Sequence, residues 1–170
     1  SSFSSASASA AAAAASASAS TLPTLALREG VDASAAAAAA AGGITVYLAL
    51  DPALPCGWAV VHLQDSALVR VEVGVIAVAG DCIGSRGASL KQQLLPLLTP
   101  PPAHVFVEKF CGSAPRGDDT NYGLRGVIAT TLYECDIPCT MVAPQTWKKA
   151  VAGRGTADKA AVKAAVERIL

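Results

Sequence analysis

Two carboxylates stand where apolar strands end, and that placement suits a divalent cation. Asp51 follows ITVYLAL, residues 44–50, and Glu108 lies near the end of AHVFVEK, residues 103–109. If the two strands are parallel neighbours, both side chains emerge at one sheet edge, about 5 Å apart across the ladder. Carboxylates that close repel unless a proton or a cation lies between them. Mg²⁺ takes oxygen ligands, keeps several waters and is readily bound by one or two carboxylates together with a phosphate. A pair of such ions prepares the attacking water and steadies the leaving oxygen, so phosphodiester hydrolysis is the chemistry this spacing would serve. The plainer alternative is that Asp51 caps a turn and Glu108 pairs with a surface cation such as Lys109.

The elements that must position these acids can be read from periodicity. ITVYLAL stops at Asp51-Pro52, where the proline ring favours a turn, and GWAVVHL, residues 57–63, reads as a second strand. The short connection makes the two antiparallel. A third strand spans LVRVEVGVIAVAG, residues 68–80, with Val69, Val71, Val73 and Val75 on one face. Leu90, Leu94, Leu97 and Leu98 recur at helical spacing until TPPP, residues 99–102, forbids continuation, so the strand at 103–109 is reached through a helix and should run parallel to its neighbour. Asp118, Asp119 and Thr120 offer caps to the clearest helix, in which Leu124, Val127, Ile128, Thr131, Leu132 and Cys135 share a face. A short strand at 138–143, a short helix at 144–151 opened by Pro144, and a last helix from Thr156 to Leu170 complete the order β-β-β-α-β-α-β-α-α. Three antiparallel strands followed by parallel ones predict an α/β fold, a mixed five-stranded sheet flanked by helices with the first strand central.

Composition limits the rest. Residues 1–43 contain 19 Ala and 10 Ser and almost no large apolar side chains, too little to offset the entropy of ordering them. This Ser-rich, acid-poor segment reads as a disordered leader, an organelle transit peptide in preference to a secretory signal. Its longest alanine run, Ala35 to Ala41, is far short of the ~20 apolar residues of a membrane span, so no membrane anchor is expected. Residues 44–170 carry a net charge of only +1, but 144–170 hold six basic residues against two acidic ones. A basic end on a near-neutral body suits a polyanion docking at one edge, and a solvated helix face would look the same. Cys56, Cys82, Cys111, Cys135 and Cys139 form no CxxC pair, and with two histidines they support neither a zinc site nor a disulfide framework. Most are expected to pack as small apolar groups.

The run ITVYLALDPALPCGWAVV resembles the first hairpin of RuvC-type Holliday-junction resolvases, with Asp51, Pro52, Gly57 and Trp58 matching its pattern. FVEKF around Glu108 is similar to the second acidic strand of that family. NYGLRGVIATTLYECDIPCTMVAPQTWKKAV resembles the helix, strand and short helix that follow, and TADKAAVKAAVERIL its Lys-bearing helix, with Lys159 at the matching position. EK, YGL and QTWK together look closest to the plant and algal plastid branch, the monokaryotic-chloroplast type. The resemblance covers residues 44–170; its motifs are weak singly and fairly specific in their order and spacing.

This resemblance implies an RNase H-like fold and a homodimeric endonuclease that grips a four-way DNA junction and nicks two strands of like polarity. Mg²⁺ or Mn²⁺ would be held by Asp51 and Glu108, with Lys159 as a further catalytic residue. Lys109, Arg116, Arg125, Gln145, Lys148 and Lys149 would face phosphates. The plastid branch further implies a chloroplast address, agreeing with the leader, and a bias toward cytosine steps. RuvC-type sites take their remaining acids from a final helix, and Asp158 and Glu167 do not match those positions. The chain is therefore expected to lack that C-terminal helix, to hold about half the ligands, and to bind metal weakly and cut poorly.

Two rivals remain. One is a module of the same fold that binds junctions without cutting them; the other is an actin- or sugar-kinase-like phosphotransferase fragment, for which ALPCG supplies too little glycine. Gly84, Arg86 and Gly87 lack the P-loop pattern and read as a connection from hairpin to helix. Trp147 reads as a packed residue of its short helix in preference to a base-stacking one.

Overall fold

A computed structural model describes residues 43–109 and 119–169. Residues 1–42 of the leader, Cys111, Arg116, Asp118 and Leu170 lie outside the described residues, as do the side chains of Asp119 and Thr120. The strands are β1 (Ile44–Asp51), β2 (Cys56–Gln64), β3 (Ala67–Ile76), β4 (His104–Glu108) and β5 (Cys139–Val142). The helices are α1 (Ile83–Leu94), extended by a 3-10 turn at Leu95–Leu98, then α2 (Asp119–Glu134), α3 (Pro144–Ala152) and α4 (Lys159–Ile169). The sheet order is β3-β2-β1-β4-β5, with β1 antiparallel to β2 and parallel to β4, so the predicted mixed sheet and its central first strand are present. No helix among the described residues is long and apolar enough to cross a membrane.

Alternation along the strands divides the side chains between two faces. Leu48 and Leu50 of β1 and Val105 and Val107 of β4 are fully buried with Leu90 and Leu94 of α1 and Leu124, Ile128 and Leu132 of α2. Burying each such side chain contributes roughly 1.5–3 kcal/mol, which makes this layer the main source of stability. α1 and α2 approach closely because glycines face the partner helix. A side chain at Gly87 would press on Val127 of α2, and one at Gly123 would overlap Ile83 of α1. Lys91 and Glu134 close the far end of the pair with a 2.6 Å ion pair. The opposite sheet face carries Ala49, Ala59, Val61 and Leu63, with Tyr47 and Phe106 packed on them. A third cluster joins α3 to α4 through Val151, Ala157, Val162, Ala165 and Val166, with Trp147 against it.

Several expected boundaries shift. β3 ends at Ile76 and not at Gly80, because Ile76 pairs with Cys56, the first residue of β2, and there the ladder stops. Val69, Val73 and Val75 are exposed on this edge strand. Asp65 and Ser66 take positive φ and make the two-residue turn into it. Gly84, Arg86 and Gly87 belong to α1, which begins before the leucine repeat because Cys82 and Ser85 form a reciprocal cap at its start. The leucine repeat itself is divided, Leu97 and Leu98 falling in the 3-10 turn, where Pro96 has no N–H to continue the helix. The last helix starts at Lys159, three residues later than expected, because Asp158 accepts from the Ala161 amide at 2.8 Å and fixes the start. Only Cys56 of the described cysteines is buried; Cys82, Cys135 and Cys139 are exposed, at a cap, a helix end and the edge strand β5.

Candidate active site

Asp51 and Glu108 are brought together by strand register. The β1–β4 ladder runs from Tyr47–His104 to Leu50–Val107, and the residue that follows on each strand is an acid, Asp51 and Glu108, the first near enough for its charge to act on the second. Alternation puts both on the face of Tyr47, Ala49, His104 and Phe106, opposite the Leu48–Leu50 core. On its other side Asp51 pairs with Gly57 of β2. Its carbonyl accepts from Ala53 at 2.8 Å, so the chain turns away at Pro52 as the Asp-Pro pair predicts.

The electrostatics of the pair match the geometry. Burial pushes the Glu108 carboxyl above its usual range and the charge of Asp51 pushes it further, while Trp147, Lys148 and Arg125 pull it back. Behind the pair, the buried Cys56 thiol is raised to about 12 by burial and by Asp51, so it is an inert, protonated neighbour. Two oxygen-donor side chains, one of which is raised by the charge of the other, fit a hard divalent ion that also takes phosphate oxygens. Among the described residues no group of three or more His, Cys, Asp or Glu side chains forms a ready-made cage.

The third partner is one that sequence reasoning set aside. Trp147 donates its indole N–H to Oε2 of Glu108 at 2.9 Å. Its ring also packs on the α3–α4 cluster, so the packed role expected for it is only half of what it does. A signal existed: β5 pairs Val142 with Glu108, so a helix starting at Pro144 delivers its fourth residue back over the strand end.

The predicted basic residues fall into two groups. Lys148 on α3 and Arg125 on α2 are half-buried, and their charges reach Glu108. The Lys148 ammonium lies 5.8 Å from the centroid of the Trp147 ring, and Arg125 donates to the Asn121 carbonyl at 3.3 Å. Lys109, Gln145, Lys149 and Lys159 are exposed. Lys109 is held by its backbone, which donates to Val142 at 2.7 Å, and Lys159 opens α4. Gln145 lies in the first turn of α3, against which the loop after the helix folds back at Gly155. Gly153, with φ of 76°, makes that return possible in a left-handed conformation that few other residues adopt.

Comparison with known proteins shows the family and the fold. The family model described as crossover junction endodeoxyribonuclease RuvC matches residues 47–170. The chain is 31% identical over 115 residues to a curated protein of that name from Ruegeria pomeroyi, covering 66% of this chain and 70% of the relative. It is 29% identical over 129 residues to another from Orientia tsutsugamushi, covering 74% and 81%. The solved structure titled T. thermophilus RuvC in complex with Holliday junction substrate superposes with a TM-score of 0.62 at 24% identity, over 74% of this chain and 79% of that one. This last likeness is one of fold, and the shared fold is RNase H-like.

Proposed function

The chain belongs to the RuvC family of crossover junction endodeoxyribonucleases, and from that membership we propose that it cuts four-way DNA junctions by metal-dependent phosphodiester hydrolysis. The observation that carries the reading is the β1–β4 register, whose last pair, Leu50 and Val107, is followed on the two strands by Asp51 and Glu108, close enough to interact. These two residues would hold the cation, Mg²⁺ or Mn²⁺, whose contribution is to lower the pKa of an attacking water and neutralise phosphate charge.

The protein groups divide the remaining work. Asp51 and Glu108 bring negative charge to a half-buried edge, where a bare phosphate would be repelled and a cation is welcome. Lys148, and with it Arg125, offsets part of that charge and supplies a positive wall for the backbone of the cut strand. Lys109, Gln145, Lys149 and Lys159 extend the wall outward on exposed positions. Lys159 takes the catalytic place that the resemblance gives it, at the start of α4. Arg116 joins the DNA-facing set by sequence alone. Two copies of the chain would grip the junction, which lets one dimer nick two strands of like polarity.

We place the enzyme in the plastid, in DNA recombination and nucleoid segregation there. That reading is supported by the EK, YGL and QTWK motifs and by the composition of residues 1–43, read as a cleavable leader ahead of a nuclease domain at 44–170. Import of a fluorescent fusion of residues 1–43 into plastids is the expected result, and a cytosolic signal would contradict it.

The decisive assay incubates the protein, completed by the acid-bearing final helix that the resemblance implies, with a synthetic four-way junction or a linear duplex of the same sequence, with Mg²⁺, with Mn²⁺ and with chelator. Paired nicks in the junction, dependent on the divalent ion and absent from the duplex, are expected. Tight junction binding with no nicking under either ion would convert the reading to a non-cutting module.

A further inference from the structure

Trp147 has two anchorages that together fix one side chain of the acidic pair. Its backbone is tied at the start of α3, where the amides of Thr146 and Trp147 both donate to the Ala143 carbonyl. Its ring is gripped by the cluster that joins α3 to α4. From this fixed platform the indole N–H reaches Glu108, 39 residues earlier in the chain, at 2.9 Å. A glutamate at the end of a strand otherwise has three side-chain torsions to choose from, and ordering it costs free energy on each binding event.

We infer that Trp147 is a positioning residue, its indole N–H holding Oε2 of Glu108 so that Oε1 is left to a divalent cation shared with Asp51. The inference rests on the metal reading given above. The chemistry of indole suits the task. It donates one hydrogen bond and accepts none, so it orients a carboxylate without competing for the cation. A bond from N–H to an ionised carboxylate is stronger than one between neutral groups, and it favours the charged form that a metal requires. Occupying one oxygen also makes Glu108 a one-oxygen ligand, which leaves coordination positions for phosphate and water.

A second consequence lies in where the tryptophan sits. The α3–α4 hairpin carries Lys148, Lys149 and Lys159, and it reaches the sheet edge through this same bond. The contact therefore sets the acids and the basic hairpin in one frame.

The test titrates Mn²⁺ into the metal-free full chain without DNA and follows free Mn²⁺ by its EPR signal. Four proteins are compared: wild type, Trp147→Phe, Glu108→Gln and the double variant. Phenylalanine keeps an aromatic ring in the α3–α4 cluster and removes the donor together with part of the ring's volume. Trp147→Phe should weaken Mn²⁺ binding by about 10-fold or more, the usual cost of losing a group that orients a metal ligand. In the Glu108→Gln background it should add nothing. Unchanged affinity in Trp147→Phe, or an equal loss in both backgrounds, overturns the positioning role.

A measurement that needs no tryptophan substitution guards against misfolding. In ¹⁵N-labelled protein, Glu108→Gln should move the indole N–H resonance of Trp147 well beyond that of Trp58, the other of the two tryptophans. An unmoved Trp147 signal overturns the proposal. Failure of the underlying metal reading is seen elsewhere: wild type would take up no Mn²⁺, or Glu108→Gln would bind it as wild type does.

Discussion

Asp51 follows Leu50 and Glu108 follows Val107 in a parallel register, and the charge of the first raises the pKa of the second. Two neighbouring strands thus end on like charges, an arrangement that opposes folding while it prepares a cation site. Stability and activity should accordingly respond to these residues in opposite directions.

For activity, Asp51→Asn and Glu108→Gln should each reduce junction nicking by more than the ~10–100-fold that follows loss of a group merely supporting a ligand. Single-turnover cleavage of a labelled junction measures this. Junction affinity in chelator should change little in either variant, and cleavage near the wild-type rate by either would remove the pair from the mechanism.

For stability, the sign follows from the direction of the Glu108 shift. Its folded pKa is raised above the ordinary 4.5, so its contribution is fully favourable below that value and is lost as pH rises through the folded pKa. At neutral pH the ionised carboxylate works against the fold. Glu108→Gln should therefore melt at a higher temperature than wild type at pH 7.5 in chelator, the difference vanishing near pH 4. Mn²⁺ should raise the wild-type midpoint and leave the variant unmoved.

His104 gives the opposite dependence. Burial holds it below its ordinary 6.5, beside Phe106 and with Nε2 2.8 Å from the Thr140 hydroxyl. The stability it contributes is complete above 6.5 and is lost progressively as pH falls from there toward the folded value. Urea midpoints at pH 7.5 and 5.5 should show this decline in wild type. His104→Gln should flatten it, and an equal decline in the variant would assign the effect to other groups.

The basic hairpin should be visible in salt dependence. If Lys148 and Lys149 each neutralise a junction phosphate, replacing either with alanine lowers the slope of log K against log salt by about 0.9. Fluorescence anisotropy of a labelled junction from low to moderate salt measures the slope. A weaker but parallel line would place the lysine outside the phosphate contacts.

Packing beneath the acids should be costly to disturb. Leu50 is buried between the helices and the sheet and immediately precedes Asp51. Leu50→Ala should destabilise the fold by about 2–5 kcal/mol in denaturant unfolding. It should also loosen Asp51, so Mn²⁺ affinity should fall with it.

Sequence by itself determined the order of strands and helices, the central position of the first strand and the two acids at the sheet edge. Those features follow from local rules: apolar alternation, the turn at Asp51-Pro52 and the prolines after Leu98 each leave a mark in neighbouring residues. The family resemblance was carried by the same local runs. Where the sequence misled, the cause was pairing or packing between distant segments. The third strand reads on to Gly80, yet its ladder stops at Ile76, where the partner strand begins. The glycines of α1 suggested a loop, yet α2 packs against Gly87.

The tertiary structure alone decided what surrounds the acids. A hydrogen bond from Trp147 to Glu108 spans 39 residues and depends on β5 lying beside β4. No period within α3 announces it, because the direction of a side chain over a neighbouring strand is set by register and helix entry. Likewise the half-burial that raises the Glu108 pKa comes from the sum of several elements closing over one strand end. Residue type told which groups could bind a cation, and only the fold set how far apart, how dry and how firmly held they are.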